Sequence, residues 1–545
     1  MKASRFAGAA LVALLCAPAG GHAQRDAAFA EAAANARAAN EALVRSQRVM
    51  YAWLEHADPR TGLLPRNLLE STDIWNARDA AADLYPYFVL TAWFTDPDLY
   101  AGRMQEILLT ETALISRVGR LADTYSFSKQ GFDKQELDMA EVQFGSAEYM
   151  KDGLMPITEW LGVSPWRARM LGLLDDSWRF AAVETPYGRI PSTDVEVNGD
   201  QLQVLNRMYW VTRDERYLDY AERLGDFYLL GKNHPTRDFE RLRLRDHGNE
   251  VVSGLVELYA TLREVRPAKA ARYREPVHAM LDRILAVGRN ADGLFYNVVD
   301  PRSGVAVDSA VADNFGYILN GFHAVYQIDG KREYREAVRR ALTVLNEKYR
   351  GFDWENGGAD GDADAVEGAL NLYNREPVPA AAEWIEFQIR FMWSKQDSAH
   401  RANAQRFRGT GVVEGGHPDG NFNRTSLMYA LWKTQGTSAQ PWRRDLLLGA
   451  VREGDAALVS IAAAGPWAGK LRFDSPRHRT QMGMPRDWPR MNQFPEWFTV
   501  EAGRRYRVSE AGGRALGEYS GAELVEGIAI DLPGGAERRL VVAPL

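Results

Sequence analysis

Between residues 26 and 440 the chain alternates two kinds of helical pattern. In one, as in DERYLDYAERLGDFYLL (214–230) and GKREYREAVRRALTVLNEKY (330–349), apolar residues return every three or four positions and the rest are largely charged. That spacing predicts helices that bury one face and leave the other in water. In the other kind, a loop of Gly, Asn and Asp leads into a helix that is small or aromatic nearly all round. DHGNEVVSGLVELYATL (246–262), ADNFGYILNGFHAVYQI (312–328) and DGNFNRTSLMYALWKTQG (419–436) are examples. Seven such members are expected, starting near Ile74, Gly145, Asn198, Asp246, Ala312, Asp362 and Gly420, at spacings of 48 to 71 residues. A half-wet helix followed by one buried on every side, repeated, is what a closed double ring of hairpins requires. An open solenoid of the same hairpins is the alternative.

From about Asp445 the texture changes. LVSIAAAG, KLRF, EWFTVEAG, YRVSEAG, GIAIDLPGG and RRLVVAPL are short runs rich in Val, Ile, Phe and Tyr, punctuated by Gly and Pro. They predict strands joined by turns. The expected fold class is mainly α: an (α/α) toroid of six or seven hairpins over 24–440, then a small antiparallel β-sandwich over 441–545. One interruption, DSPRHRTQMGMPRDWPRMNQFP (474–495), is long and basic. Loops of that length in compact domains are often functional. Folded over the mouth of the ring, its arginines would meet an anionic sugar.

The first 23 residues, MKASRFAGAALVALLCAPAGGHA, combine Lys2 and Arg5, an apolar run and small residues at the end. They predict a secretory signal peptide cut after Ala23, and hence a periplasmic or extracellular protein. Cys16, the sole cysteine of the chain, lies inside that segment. The mature chain therefore has no thiol nucleophile, thiolate metal site or disulfide. The net charge of −7 becomes −9 without Lys2 and Arg5. Nucleic-acid binding, which needs a basic face, is not expected. No second apolar run reaches the ~18 residues of a membrane span. With 15 Trp and 22 Tyr, the chain is rich in rings that suit sugar faces, although packing between helices also uses them.

In a closed ring the inner helices point one way, so their leading loops gather at one end. The polar residues sit in those loops: Trp75 and Asp79 at the first, Asn198 and Asp200 at the third, and His247, Asn249 and Glu250 at the fourth. Tyr296 precedes the fifth, which opens with Asp313, Asn314 and Tyr317. Asp362, Asp364 and Glu367 lie on the sixth, with Tyr373 and Arg375 at its far end, and His417, Asp419 and Asn423 belong to the seventh. Each alone reads as a helix cap. Together, with His, Tyr and Arg among them, they suggest a polar pocket of carbohydrate size. The stretch DGDAD (360–364) resembles a calcium loop, but Ala365 and Asn371 stand where such a loop needs Gly and Glu. An irregular structural or substrate-bridging cation near Asp360, Asp362 and Asp364 remains as an alternative; no other cofactor is expected.

The alternation of outer and inner helices, the rhythm of DNFGYILNGFHAVYQIDGKREYREA (313–337) and the trailing sandwich resemble the six-hairpin glycosidase superfamily. That superfamily and the toroidal polysaccharide lyases share this architecture, with no specific family matched. The resemblance implies a secreted enzyme that cleaves glycosidic bonds in an oligo- or polysaccharide, with a uronate-containing one the expected substrate. A hydrolase would use two carboxyls, one protonated and one activating water or attacking the sugar. Asp313 and Asp364, on successive inner helices, are the expected pair, with Asp200, Glu250 and Asp419 as substitutes and with His247, Asn249 and Trp75 holding the sugar. A lyase would instead neutralise a uronate with Asn or Arg and move the proton with His or Tyr; Asn198, His247, Tyr296 and Arg375 are the corresponding set. A sugar-binding protein without catalysis is the third reading.

Overall fold

The structure, a computed structural model, describes residues 19–398, 402–416 and 419–545, without the side chains of 19–23, His247, Asn356 and 402–404. The expected signal peptide falls largely outside the described residues.

Among the described residues fourteen longer helices form two concentric rings. The inner ring has seven members. The first runs from Ala77–Leu84 into Tyr85–Thr95, and the second through Met139–Glu148, Tyr149–Leu154 and Met155–Leu161. Val195–Thr212, Glu250–Val265, Phe315–Asp329, Ala359–Arg375 and Gly420–Thr434 complete it. Each packs on the next and the seventh packs on the first, so the ring closes with seven hairpins and the open solenoid is excluded. The outer helices include the strongly amphipathic Glu215–Gly225 and Arg332–Lys348, whose apolar stripes, such as Tyr334, Val338, Ala341, Leu342 and Leu345, are buried.

Inner helices come close where side chains vanish. A Cβ on Gly316 would stand 2.3 Å from the Cα of Gly368, so the fifth and sixth inner helices touch backbone to backbone. The first two meet through wide π-helical turns, Ala77–Leu84 and Tyr149–Leu154. There a Cβ on Gly153 would lie 2.7 Å from the Ala81 carbonyl oxygen. Inserting a residue in this way re-aims the side chains that follow it.

The C-terminal strands form two antiparallel sheets over a shared apolar core. The larger has the order Leu446–Glu453, Ala456–Ala463, Glu537–Pro544, Arg505–Glu510, Ala515–Ser520; the smaller joins Ile528–Leu532, Trp467–Arg472 and Ser438–Gln440. EWFTVEAG forms no strand, only a single bridge from Thr499 to Asp474. The long helix Ala19–Leu54 packs against both the seventh inner helix and strand Leu446–Glu453, tying ring to sheets. No helix among the described residues is long and apolar enough to cross a membrane.

The basic loop 474–495 does not reach the mouth. It enters the ring from the opposite end, where the inner helices finish, and its charges meet acids there. Arg477 pairs with Asp474 at 3.0 Å, Arg490 with Glu159 at 3.3 Å, and Arg486 with Glu264 at 2.8 Å. The argument for an anionic substrate from this loop therefore falls away.

Candidate functional site

At its tip the loop presents Asn492, buried and in the left-handed backbone conformation (φ +56°) that Asn tolerates better than most residues. The Asn492 backbone N–H donates to Glu367 at 2.7 Å, and its side-chain oxygen accepts from Arg424 at 2.9 Å. Its amide nitrogen donates to Asp152. Three inner helices are thus tied to one residue, which forms the floor of a cavity of about 350 Å³ on the other side.

All seven inner-helix starts, with the loops before them, contribute to that cavity. Its wall carries ten carboxyl groups, on Asp79, Asp83, Glu148, Asp152, Glu196, Asp246, Glu250, Glu355, Asp360 and Asp364, against four cations, Arg66, Arg78, Lys151 and Arg424. The cations are engaged. Lys151 donates to Asp152 and Glu250 at 2.7 Å each, Arg66 holds Asp79 at 2.8 Å, and Arg424 reaches Asp364 at 2.5 Å and Glu367 at 3.3 Å. Tyr317 donates toward Glu367 at 2.6 Å and Asp364 at 3.1 Å.

So many acids beside so few cations cannot all be ionised. Burial, and then the neighbouring Asp360 and Asp313, push Glu355 up to about 9. Burial raises Glu250 to about 7 against the pull of Lys151. Asp364 is raised well above the usual carboxylate range, by burial first and by Asp360, Asp313 and Glu367 besides, even with Arg424 beside it. Glu148 is raised by burial and by Glu196, with which it shares a hydrogen bond. Among the described residues the side-chain oxygens of Asn314 and Asn421, also on the wall, are buried without a hydrogen-bond partner. They are acceptors suited to a ligand hydroxyl.

Several expected site residues are placed on this wall: Asp79, Glu250, Asn314, Tyr317 and Asp364, with Glu367 beneath them. Asp200 sits just behind, 3.8 Å from Lys151. Asp313 is also behind the wall, accepting from the Asn314 backbone at 3.0 Å and lying 3.5 Å from Arg245, so Asp313 and Asp364 do not face a common ligand. Asn249 is fully buried off the wall.

Other expectations are corrected, because the helix, strand or loop that carries each side chain turns it away from the wall. Asp362 points outward to Lys395 and Gln388 of the outer helix Pro379–Ser398. Asn198 donates to Ser192 and Tyr228, and Asn423 to Ser46 and Thr91, both between helices. Asp419 braces its own loop through Trp53 and the Val413 and Glu414 amides. Trp75 is buried in a strand pair with Tyr125, and Tyr296 begins a rim strand, Tyr296–Asp300, away from the wall. Tyr373 and Arg375 lie at the opposite end, where Arg375 pairs with Asp487 at 2.7 Å. The His247 side chain and all of His417 lie outside what is described. The lyase set therefore does not assemble: Asn198 and Arg375 are committed elsewhere.

The DGDAD stretch splits three ways, with Asp360 accepting from Asn421 at 2.8 Å, Asp362 facing Lys395 and Asp364 facing Arg424. The one grouping of three metal-type ligands among the described residues is His478, Asp487 and Glu496, at the far end. Arg375 and Arg490 both pair with Asp487, so a cation there would meet two guanidinium groups.

Missed from the sequence were Asp83, Glu148, Lys151, Asp152, Glu196 and Glu355. The signal was present in AEYMKDGL (147–154), a buried helix with three charges, which an apolar stripe does not explain.

No family model matches the chain, and no curated protein matches it either. Among solved structures it is similar to an inactive variant of an α-1,6-mannanase of Salegentibacter sp. in complex with α-1,6-mannotetrose, at 12% identity over 53% of this chain and 88% of that one, TM-score 0.38. It is similar to cellobiose 2-epimerase of Bacillus thermoamylovorans at 13% identity over 53% and 87%, TM-score 0.38. A family 76 glycoside hydrolase (mannosidase) of Bacteroides thetaiotaomicron is matched at 10% identity over 72% of this chain and 99% of that one, TM-score 0.38. Likenesses this distant carry no argument about family or reaction.

Proposed function

We infer that the protein is a carbohydrate-active enzyme that hydrolyses glycosidic bonds with a pair of carboxyl groups. The observation that carries this reading is the acid-rich cavity wall, which brings together a carboxyl raised by burial, Asp364, and a carboxyl held by Lys151 and Asn492, Asp152. Hydrolysis of a glycoside needs both kinds. Asp364 is assigned as the acid. Its Oδ1 accepts from Tyr317 and Arg424, which leaves Oδ2 to carry the proton to the leaving oxygen. Asp152 is assigned as the partner. Its Oδ1 takes donors from Lys151 and Asn492, which leaves Oδ2 to activate water or attack the sugar. Asn314 and Asn421 would accept from sugar hydroxyls. The excess of acids on the wall disfavours a uronate and favours a neutral glycan. The expected export signal fits a substrate met outside the cytoplasm.

The test is incubation of the purified protein with a panel of neutral and uronate-containing glycans. New reducing ends without absorbance near ~235 nm are expected. Absorbance from an unsaturated sugar would replace hydrolysis with elimination, and no product from any glycan would leave a binding protein.

A further inference from the structure

The far end of the molecule carries a second, larger cleft that the proposed reaction does not use. Its volume is about 570 Å³, and it lies where the ends of the sixth and seventh inner helices meet the start of helix Ala19–Leu54, strand Leu446–Glu453 and the segment after the plug loop. Three half-buried aromatic residues line it. Trp432 and Trp497 stack at 6.0 Å between centroids with planes 28° apart, and Tyr373 lies 5.2 Å from Trp432 and 6.2 Å from Trp497.

The charged groups around these rings are largely spoken for. Lys433 pairs with Glu386 and lies over the Trp432 ring, and Glu496 accepts from the backbone and ring of His478. Glu453 faces Arg25 at 3.8 Å, and Arg452 bonds the Gly454 carbonyl. What remains for a ligand is a set of flat rings edged by the amide of Gln24, the carboxylate of Glu31 and the side-chain oxygen of Asn374, whose nitrogen donates to the Glu496 carbonyl at 2.9 Å. The Trp497 indole N–H has no acceptor among the described residues.

We propose that this cleft is a non-catalytic binding site for a neutral glycan chain, with Trp497, backed by Trp432, as its stacking surface. Pyranose rings present C–H faces that lie flat on indoles, and rim hydroxyls that pair with amides and carboxylates. Among the described residues the lining carries Glu31, Glu453 and Glu496 against Lys433 and Arg452, a balance that disfavours an anionic ligand. Because mouth and cleft lie at opposite ends of the ring, the cleft would hold a polymer while the mouth works on a chain end or a neighbouring strand. The choice of a glycan rests on the carbohydrate reading above; the cleft itself does not depend on which carboxyls react.

The experiment is native electrophoresis of the full chain through gels containing soluble mannan, xylan, xyloglucan or mixed-linkage β-glucan, with polygalacturonate as the acidic comparison. Wild type and Asp364→Asn should both be retarded by at least one neutral polysaccharide. Trp497→Ala should bind that polysaccharide about tenfold more weakly, the loss expected for one stacked ring. Trp497→Phe, which keeps a flat ring and guards against a folding defect, should recover part of the retardation. No retardation of wild type by any neutral polysaccharide overturns the site, as does equal retardation of Trp497→Ala. If products form without Trp497-dependent retardation, the cleft fails and the hydrolase stands. If such retardation occurs with no product, the hydrolase fails and the cleft stands.

Discussion

The two ends of the ring are built from the same helices and treat charge in opposite ways. At the far end nearly every ion has a matched partner: Arg207 with Glu257 at 2.7 Å, Arg490 with Glu159, Arg375 with Asp487, Arg477 with Asp474. Despite burial, Arg375 and Arg490 hold Asp487 down to about 2. At the mouth ten carboxyls share four cations, and burial drives several of them toward the neutral form. Matched buried pairs close a structure. A surplus of one sign, facing a cavity, stores proton-transfer capacity at a cost in stability.

Two substitutions test that contrast, in order of expected effect, and a pH series then tests the buried acids behind both ends. Asp364→Asn at the mouth removes the assigned proton donor, and kcat should fall by about 10²–10⁴-fold while the melting temperature holds or rises. Activity near wild type would take Asp364 out of the reaction. Arg490→Ala at the far end leaves Glu159 and Asp487 buried without it, and should cost about 3–5 kcal/mol of stability by denaturant titration. Its kcat per folded molecule should change far less than that of Asp364→Asn; the reverse ranking would erase the distinction between the ends.

The smallest effect per group is the pH dependence of stability. Asp313, Asp362, Asp419 and Asp474 are each pushed up to about 6, chiefly by burial. Unfolded, such groups titrate near about 3.9. A raised carboxyl contributes stability that is full below the unfolded value and lost as pH rises through the folded one. The unfolding free energy should therefore fall between pH 5 and pH 8, by an amount on the order of 1 kcal/mol for each group, and the melting temperature with it. Asp487, shifted the other way, loses its contribution only as pH falls toward 2 and does not oppose this trend. A melting temperature that climbs across the same interval would contradict the buried acids.

The alternation of half-wet and wholly apolar helices determined the hairpins and the β-rich end, because burial leaves its period in the residues themselves. It also located the acid-rich starts of the inner helices, since those loops are local in sequence. Which acids face the axis was decided only in three dimensions. Asp362 and Asp364 lie two residues apart and point to opposite sides of one helix, to Lys395 and to Arg424. Asp152 owes its place to a π-helical turn that a regular 3.6-residue period does not anticipate. The floor of the site arrives from residue 492, far along the chain, because a basic loop found its acids below the ring and left the mouth open.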